Sequence, residues 1–323
     1  VTLLFPRHWP NQELVGLLVG CALATVLGIA DEVWSLSPWK HFLGQVGVVL
    51  VAIVVRFPVI TTVTNPFLAT VSLKHSGSIS LATLLGFGHA PAEVAHAVTL
   101  VAGILFTVFW IVGMMNTVNF LDGLDGLAGG VAAITALFLG LWAWHMAGSG
   151  YVTRDEQNVI LPLILCGAIV GFLVYNWAPA RVFMGDSGAM FIGFALGALS
   201  IFGPVKLGTA LLLLIVPIVD VAWAIVRRLL GRRSFASGDK HHIYHRLLEL
   251  GLSRRAVVLA FYALCTALGV LDLLLVKTQK LEAFAMVAVL AAAGAVALEV
   301  RGRRAEARTG RPGADYQLPT AKR

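Results

Sequence analysis

Residues 97–128 read AVTLVAGILFTVFWIVGMMNTVNFLDGLDGLA. The first part, 97–118, is an apolar run of about 20 residues, the length a helix needs to cross a roughly 30 Å hydrocarbon layer at 1.5 Å per residue. It ends abruptly in asparagines and carboxylates. Working outward, comparable runs recur at 13–30, 42–60, 127–147, 158–177, 188–204, 207–227, 255–276 and 281–299. In lipid each must satisfy its own backbone hydrogen bonds, so all are read as helices. The fold class is therefore all-α, a polytopic transmembrane bundle of about nine spans over residues 1–300.

Composition agrees. The chain of 323 residues is 58% hydrophobic and 13% charged, against about 25% charge in soluble domains. Cys21, Cys166 and Cys265 all lie inside apolar runs and read as core residues rather than a disulfide framework. No basic leader with a small-residue cleavage site precedes the first run, so no signal peptide is expected. Residues 61–96, with Pro66, Gly77, Gly86, Gly88 and Pro91, read as one long loop, and 301–323 as a basic, disordered cytoplasmic tail.

The formal net charge of +7 does not point to nucleic acid, because the basic residues form no amphipathic stripe. They follow the membrane instead. Alternating sides put Lys40, Arg181, Arg227, Arg228, Arg232, Arg233, Lys240, Arg246, Arg254, Arg255 and the tail on one side, 17 of the 24 basic residues. The positive-inside rule makes that side cytoplasmic, with loops 31–41, 119–126, 178–187 and 228–254.

Four polar clusters fall on this face: Asp31-Glu32, then Asn116 to Gly126, then Phe183-Met184-Gly185-Asp186-Ser187-Gly188, and Asp239 to Arg246. Taken singly, each has a plain structural reading. Asp31 and Glu32 mark a helix leaving the membrane, Asp186 caps the following helix, and the histidine run is a solvated loop. The second cluster is more specific. Asp122 and Asp125 are three apart, hence on one face of a helical turn. Gly123 and Gly126 admit close backbone approach, and the next helix begins there with its N–H groups favouring phosphate.

Five acids at one membrane depth repel one another and call for a cation. Oxygen ligands select Mg²⁺, with Mn²⁺ as the alternative, in the arrangement used for phosphoryl transfer. Ionisable residues at membrane depth are read as functional. Asp220, inside the seventh span and about two turns from Arg227 and Arg228, reads as a structural partner or as a residue supporting the site from behind. Asp272 is expected to face the outer interface.

The strings NTVNFLDGLDGLAGG, FMGDSG and DKHHIYHRL, in this order and on this side, resemble those of the polyprenyl-phosphate N-acetylhexosamine-1-phosphate transferases, glycosyltransferase family 4. The likeness runs from Gly28 to about Leu250. It implies a bacterial inner-membrane enzyme, its active site facing the cytoplasm, that moves a phospho-sugar from a UDP-sugar to undecaprenyl phosphate and releases UMP. The histidine loop resembles the form associated with UDP-N-acetylglucosamine as donor. The likeness also admits a homodimer, and it implies N-terminal spans and a glycine-rich loop that this sequence lacks.

Carried over by position, the resemblance makes Asp186 a metal ligand, with Asp31 as base or metal-proximal acid beside Glu32. Asn116, Asn119, Asp122 and Asp125 fall in the nucleotide and metal region. Asn176 and Phe183 match pocket positions; His242, His245 and Arg246 match diphosphate or sugar contacts. The sequence departs from the pattern at Glu32 (for Asp), Tyr244 (for His) and His41 (for Lys). A pentapeptide transferase, an inactive relative and a transporter are the alternatives. A transporter would carry polar groups through the outer half of the membrane, where this sequence has few.

Overall fold

The computed structural model describes residues 11–64, 78–148, 156–202, 206–230, 243–275, 279, 282–294 and 296–297. The helices are α1 (Asn11–Trp34), α2 (Pro38–Val54), α3 (Leu81–Leu84), α4 (Ala92–Leu121), α5 (Leu127–Gly148), α6 (Glu156–Asn176), α7 (Gly185–Ile201), α8 (Lys206–Leu213), α9 (Ile215–Leu230), α10 (Ile243–Glu249) and α11 (Arg254–Leu274). A further apolar helix, α12, covers Glu282–Gly294. Among the described residues α1, α4, α5, α6 and α11 are long and apolar enough to cross a membrane, while α2, α7 and α12 are shorter. The chain is thus a multi-pass helical membrane protein.

Three expectations change. The 61–96 segment contains an antiparallel pair, β1 (Thr62–Thr64) and β2 (Ser78–Ser80), with Val63 opposite Ile79, followed by α3 and the start of α4. Ser80 caps α3 by accepting the Thr83 N–H, a local bond that a Gly/Pro-based reading passes over. The seventh span is broken at Leu214 into α8 and α9. Pro217 has no N–H to give the Leu213 carbonyl, and the break places it in the first turn of α9, where none is needed. The Cys265 thiol donates to that carbonyl at 3.3 Å. Finally, Asp272 is 1% exposed instead of facing the interface, its Oδ2 accepting from the Thr209 hydroxyl at 2.7 Å. Periodicity could not reveal that pairing, because the partner sits on another helix.

Helix α7 is the axis of the bundle. It packs against α1, α4 and, less extensively, α5, α6 and α8. Ala189, Met190, Phe194, Leu196 and Ala198 are fully buried. Small residues set these distances. A Cβ on Gly193 would stand 2.5 Å from Met115 Cα, and one on Gly28 would run into the Ser187 backbone. Close backbone approach of this kind is how helices associate where lipid removes the hydrophobic drive between them.

Gly193→Ala therefore forces α7 away from α4, and is expected to destabilise the protein by about 1–3 kcal/mol. Gly47→Ala, which meets nothing within 4 Å, should leave stability unchanged. Detergent-unfolding curves of the two variants provide the comparison.

Candidate functional site

One end of the bundle gathers the C-termini of α1, α4 and α6, the N-termini of α5 and α7, and α10. The organising contact joins α4 to α7: the Asn119 side-chain amide donates to Asp186 Oδ1 at 2.7 Å. Asp186 lies in the first turn of α7, behind an N-cap position held by Met184, so it is not the cap of its own helix. The terminal N–H groups are met from α1 instead. Glu32 Oε1 accepts from the Ser187 N–H at 3.1 Å and from its hydroxyl at 3.3 Å. Gly185 has φ +65°, and the Glu32 carboxylate fills the space a side chain there would need. The longer Glu arm, a departure from the expected Asp, thus spans α1 to α7.

The Asp122–Gly126 loop is fastened to the loop after α6. Asn176, 2% exposed, accepts the Gly126 N–H at 3.0 Å and donates to the Val182 carbonyl at 2.9 Å. Asp125 Oδ2 accepts the Ala180 N–H at 3.0 Å. Arg255 donates to the Ala178 carbonyl, and the Tyr262 hydroxyl to the Gly126 carbonyl. Gly126 itself is left-handed, φ +82°, which explains glycine there. Asn176 is thus a staple whose amide is spent on backbone. Phe183, by contrast, is 66% exposed beside it.

The carboxylates feel one another. Burial first, then Asp186 and Asp125, push the Asp122 carboxyl up to about 7. Deeper in, Asn116 donates to Gln45 Oε1 at 2.8 Å, and Gln45 donates to the Met190 sulfur at 3.4 Å. Gln45 went unnoticed in the sequence because it sits alone in an apolar run. Asp31 has partners of its own: its Oδ1 accepts the Leu36 N–H at 2.8 Å and its Oδ2 is 3.5 Å from His41 Nδ1. The histidine at the family's lysine position thus still faces Asp31.

On α10, Tyr244 and Arg246 are buried, and the Tyr244 and His245 rings lie 4.3 Å apart. Asp220 Oδ1 accepts the Ile243 N–H at 3.1 Å, tying α9 to α10 and giving Asp220 the structural role read for it. His242 lies outside the described residues, as do 231–241 of the 228–254 loop and the tail. The structure therefore brings together Glu32, Asn119, Asp122, Asp125, Asn176 and Asp186, and engages Asp31 with the Leu36 N–H and His41.

Among the described residues no three His, Cys, Asp or Glu side chains form a cage able to hold a metal alone. The donor set is nevertheless all oxygen and acidic. That suits a hard cation held by one or two carboxylates and completed by a ligand's phosphates.

Acids and asparagines from several helix ends thus converge on one mouth of a multi-pass bundle. Residues 14–204 match glycosyl transferase family 4, and the chain belongs to that family. It is 30% identical over 260 residues to a probable undecaprenyl-phosphate N-acetylglucosaminyl 1-phosphate transferase of Bacillus subtilis, covering 79% of this chain and 63% of the relative. It is 31% identical over 276 residues to a decaprenyl-phosphate N-acetylglucosaminephosphotransferase of Mycobacterium leprae, covering 78% and 62%. A phospho-N-acetylmuramoyl-pentapeptide-transferase of Enterococcus hirae is 26% identical over 72% of this chain and 77% of its own. The chain thus spans a little over three fifths of the length of the first two.

The raised Asp122 carboxyl has a measurable sign. Its folded pKa of about 7 lies above the ordinary 3.8, so the folded state holds the proton more tightly. Without divalent cations its contribution is full below about pH 4 and is lost as pH rises toward about 7. Melting temperatures in EDTA should fall across that window, and Asp122→Asn should flatten the decline.

Proposed function

We propose that this chain carries the catalytic centre of an N-acetylglucosamine-1-phosphate transferase. The donor is a UDP-sugar, the acceptor a polyprenyl phosphate, and the by-product UMP. The observation that carries the reading is the Asn119–Asp186 contact, 2.7 Å, which holds Asp186 in electrostatic reach of Asp122 at the mouth of the bundle. The family match and the activities for which the relatives above are named support it. The acetylglucosamine donor is preferred because the relatives named for it align over more of this chain than the pentapeptide transferases do.

Asp186, one oxygen engaged by Asn119, keeps its other oxygen for a divalent cation. Mg²⁺ bound there with the donor's phosphates would neutralise the diphosphate charge and stabilise the departing UMP. Asp122 and Asp125 border the nucleotide side, and Phe183, exposed beside Asn176, offers a ring face to the base. Asp31, oriented by the Leu36 N–H and His41, receives the acceptor phosphate's proton. His245 and Arg246 supply donors to diphosphate oxygens. The reaction is read as occurring on the cytoplasmic face of the inner membrane.

Membranes carrying the full-length protein, given radiolabelled UDP-N-acetylglucosamine, undecaprenyl phosphate and Mg²⁺, should produce organic-extractable label; absence of label sinks the assignment. Asp186→Asn should abolish transfer at unchanged protein level. Retention of more than about a tenth of the activity, a loss under roughly 1.4 kcal/mol, would exclude Asp186 as the main cation ligand.

A further inference from the structure

Tyr244 stands between two histidines in sequence, yet it behaves as neither a ligand arm nor a solvated loop residue. It is 6% exposed. A Cβ on Gly123 would run into its hydroxyl and into ring carbons Cζ and Cε2. The ring is therefore laid directly on the backbone of the Asp122–Asp125 loop, and the space that glycine leaves is filled by protein. Burial, then Asp220 and Asp122, hold the phenol up to about 12, so it stays a neutral donor with both carboxylates in electrostatic reach. Asp220 in turn fixes the start of α10 through the Ile243 N–H. A connection thus runs from α9 through α10 to the loop that carries Asp122.

We propose that Tyr244 is a positioning residue, its hydroxyl and ring edge seated on Gly123, which sets the placement of Asp122 and Asp125 for a bound divalent cation. The proposal rests on the cation-site reading above and extends it to a residue that touches neither substrate nor metal. An imidazole at this place is shorter and can carry a positive charge between Asp122 and Asp220. The phenol fills the gap and adds no charge, leaving the negative field of the loop for the cation.

The test uses the full chain in detergent, with free Mn²⁺ followed by its electron paramagnetic resonance signal and melting temperature recorded alongside. Tyr244→Phe keeps the ring and removes the hydroxyl. It should weaken Mn²⁺ binding about tenfold, the scale on which partners behind a ligand act, with the melting temperature nearly unchanged. Gly123→Ala, which displaces the ring, should weaken binding comparably. The double variant should then be no worse than Gly123→Ala alone, since neighbours acting through one contact do not add.

A fall in melting temperature with unaltered Mn²⁺ affinity would reduce Tyr244 to packing and overturn the proposal. Multiplying effects, about a hundredfold in the double variant, would overturn it too. Wild-type protein that binds Mn²⁺ but transfers no sugar would sink the function and leave this test intact, whereas wild-type protein that binds none, with UDP-N-acetylglucosamine present or absent, would defeat both.

Discussion

Like charges held close together at the edge of a low-dielectric layer are the constraint around which this protein is built. Asp122 and Asp125 come from the loop between α4 and α5 and Asp186 from the first turn of α7, and Asp122 shows the cost in a carboxyl lifted to about 7. Such a cluster does not collapse outward because each member is tethered. Asn119 holds Asp186, the Ala180 N–H holds Asp125, and the flanking loops are stapled by Asn176. Remove the tethers and water would separate the acids, with the site lost although every helix remained.

The tethers depend on how close the helices stand. Helix α7 brings Asp186 to Asn119 only because Gly193 lets α4 approach its backbone, and Gly28 does the same for α1. Glu32 then reaches across to the Ser187 N–H, and an acid that reads as a helix exit becomes the cap of another helix. Packing and chemistry are thus one design. The same small residues that replace hydrophobic drive within lipid also set the spacing of the charged groups.

The break between α8 and α9 belongs to this design. Pro217 ends one helix and starts another, Cys265 satisfies the freed carbonyl, and α9 continues to Asp220. From there α10 is placed against the acidic loop, which makes Tyr244 a neighbour of Gly123. Residues more than a hundred positions apart meet because a proline redirects the chain.

Much of this was legible in the sequence. Run lengths determined the helices, since hydrocarbon permits no unsatisfied backbone. The spacing Asp122-Gly-Leu-Asp125 and the strings around Asp186 and Arg246 marked the site and led to the family to which the chain belongs. Short-range devices such as the Ser80 cap and the β1–β2 pair were hidden in a segment rich in turn residues. Pairings across helices were hidden more deeply: Glu32 with Ser187, Asp272 with Thr209, Gln45 with Asn116, Tyr244 with Gly123. The sequence alone determined which residues lie in the membrane and which acids gather at its edge, because both follow from local composition. Only the tertiary structure decided which acid faces which partner, because that depends on close approaches between helices remote in the chain.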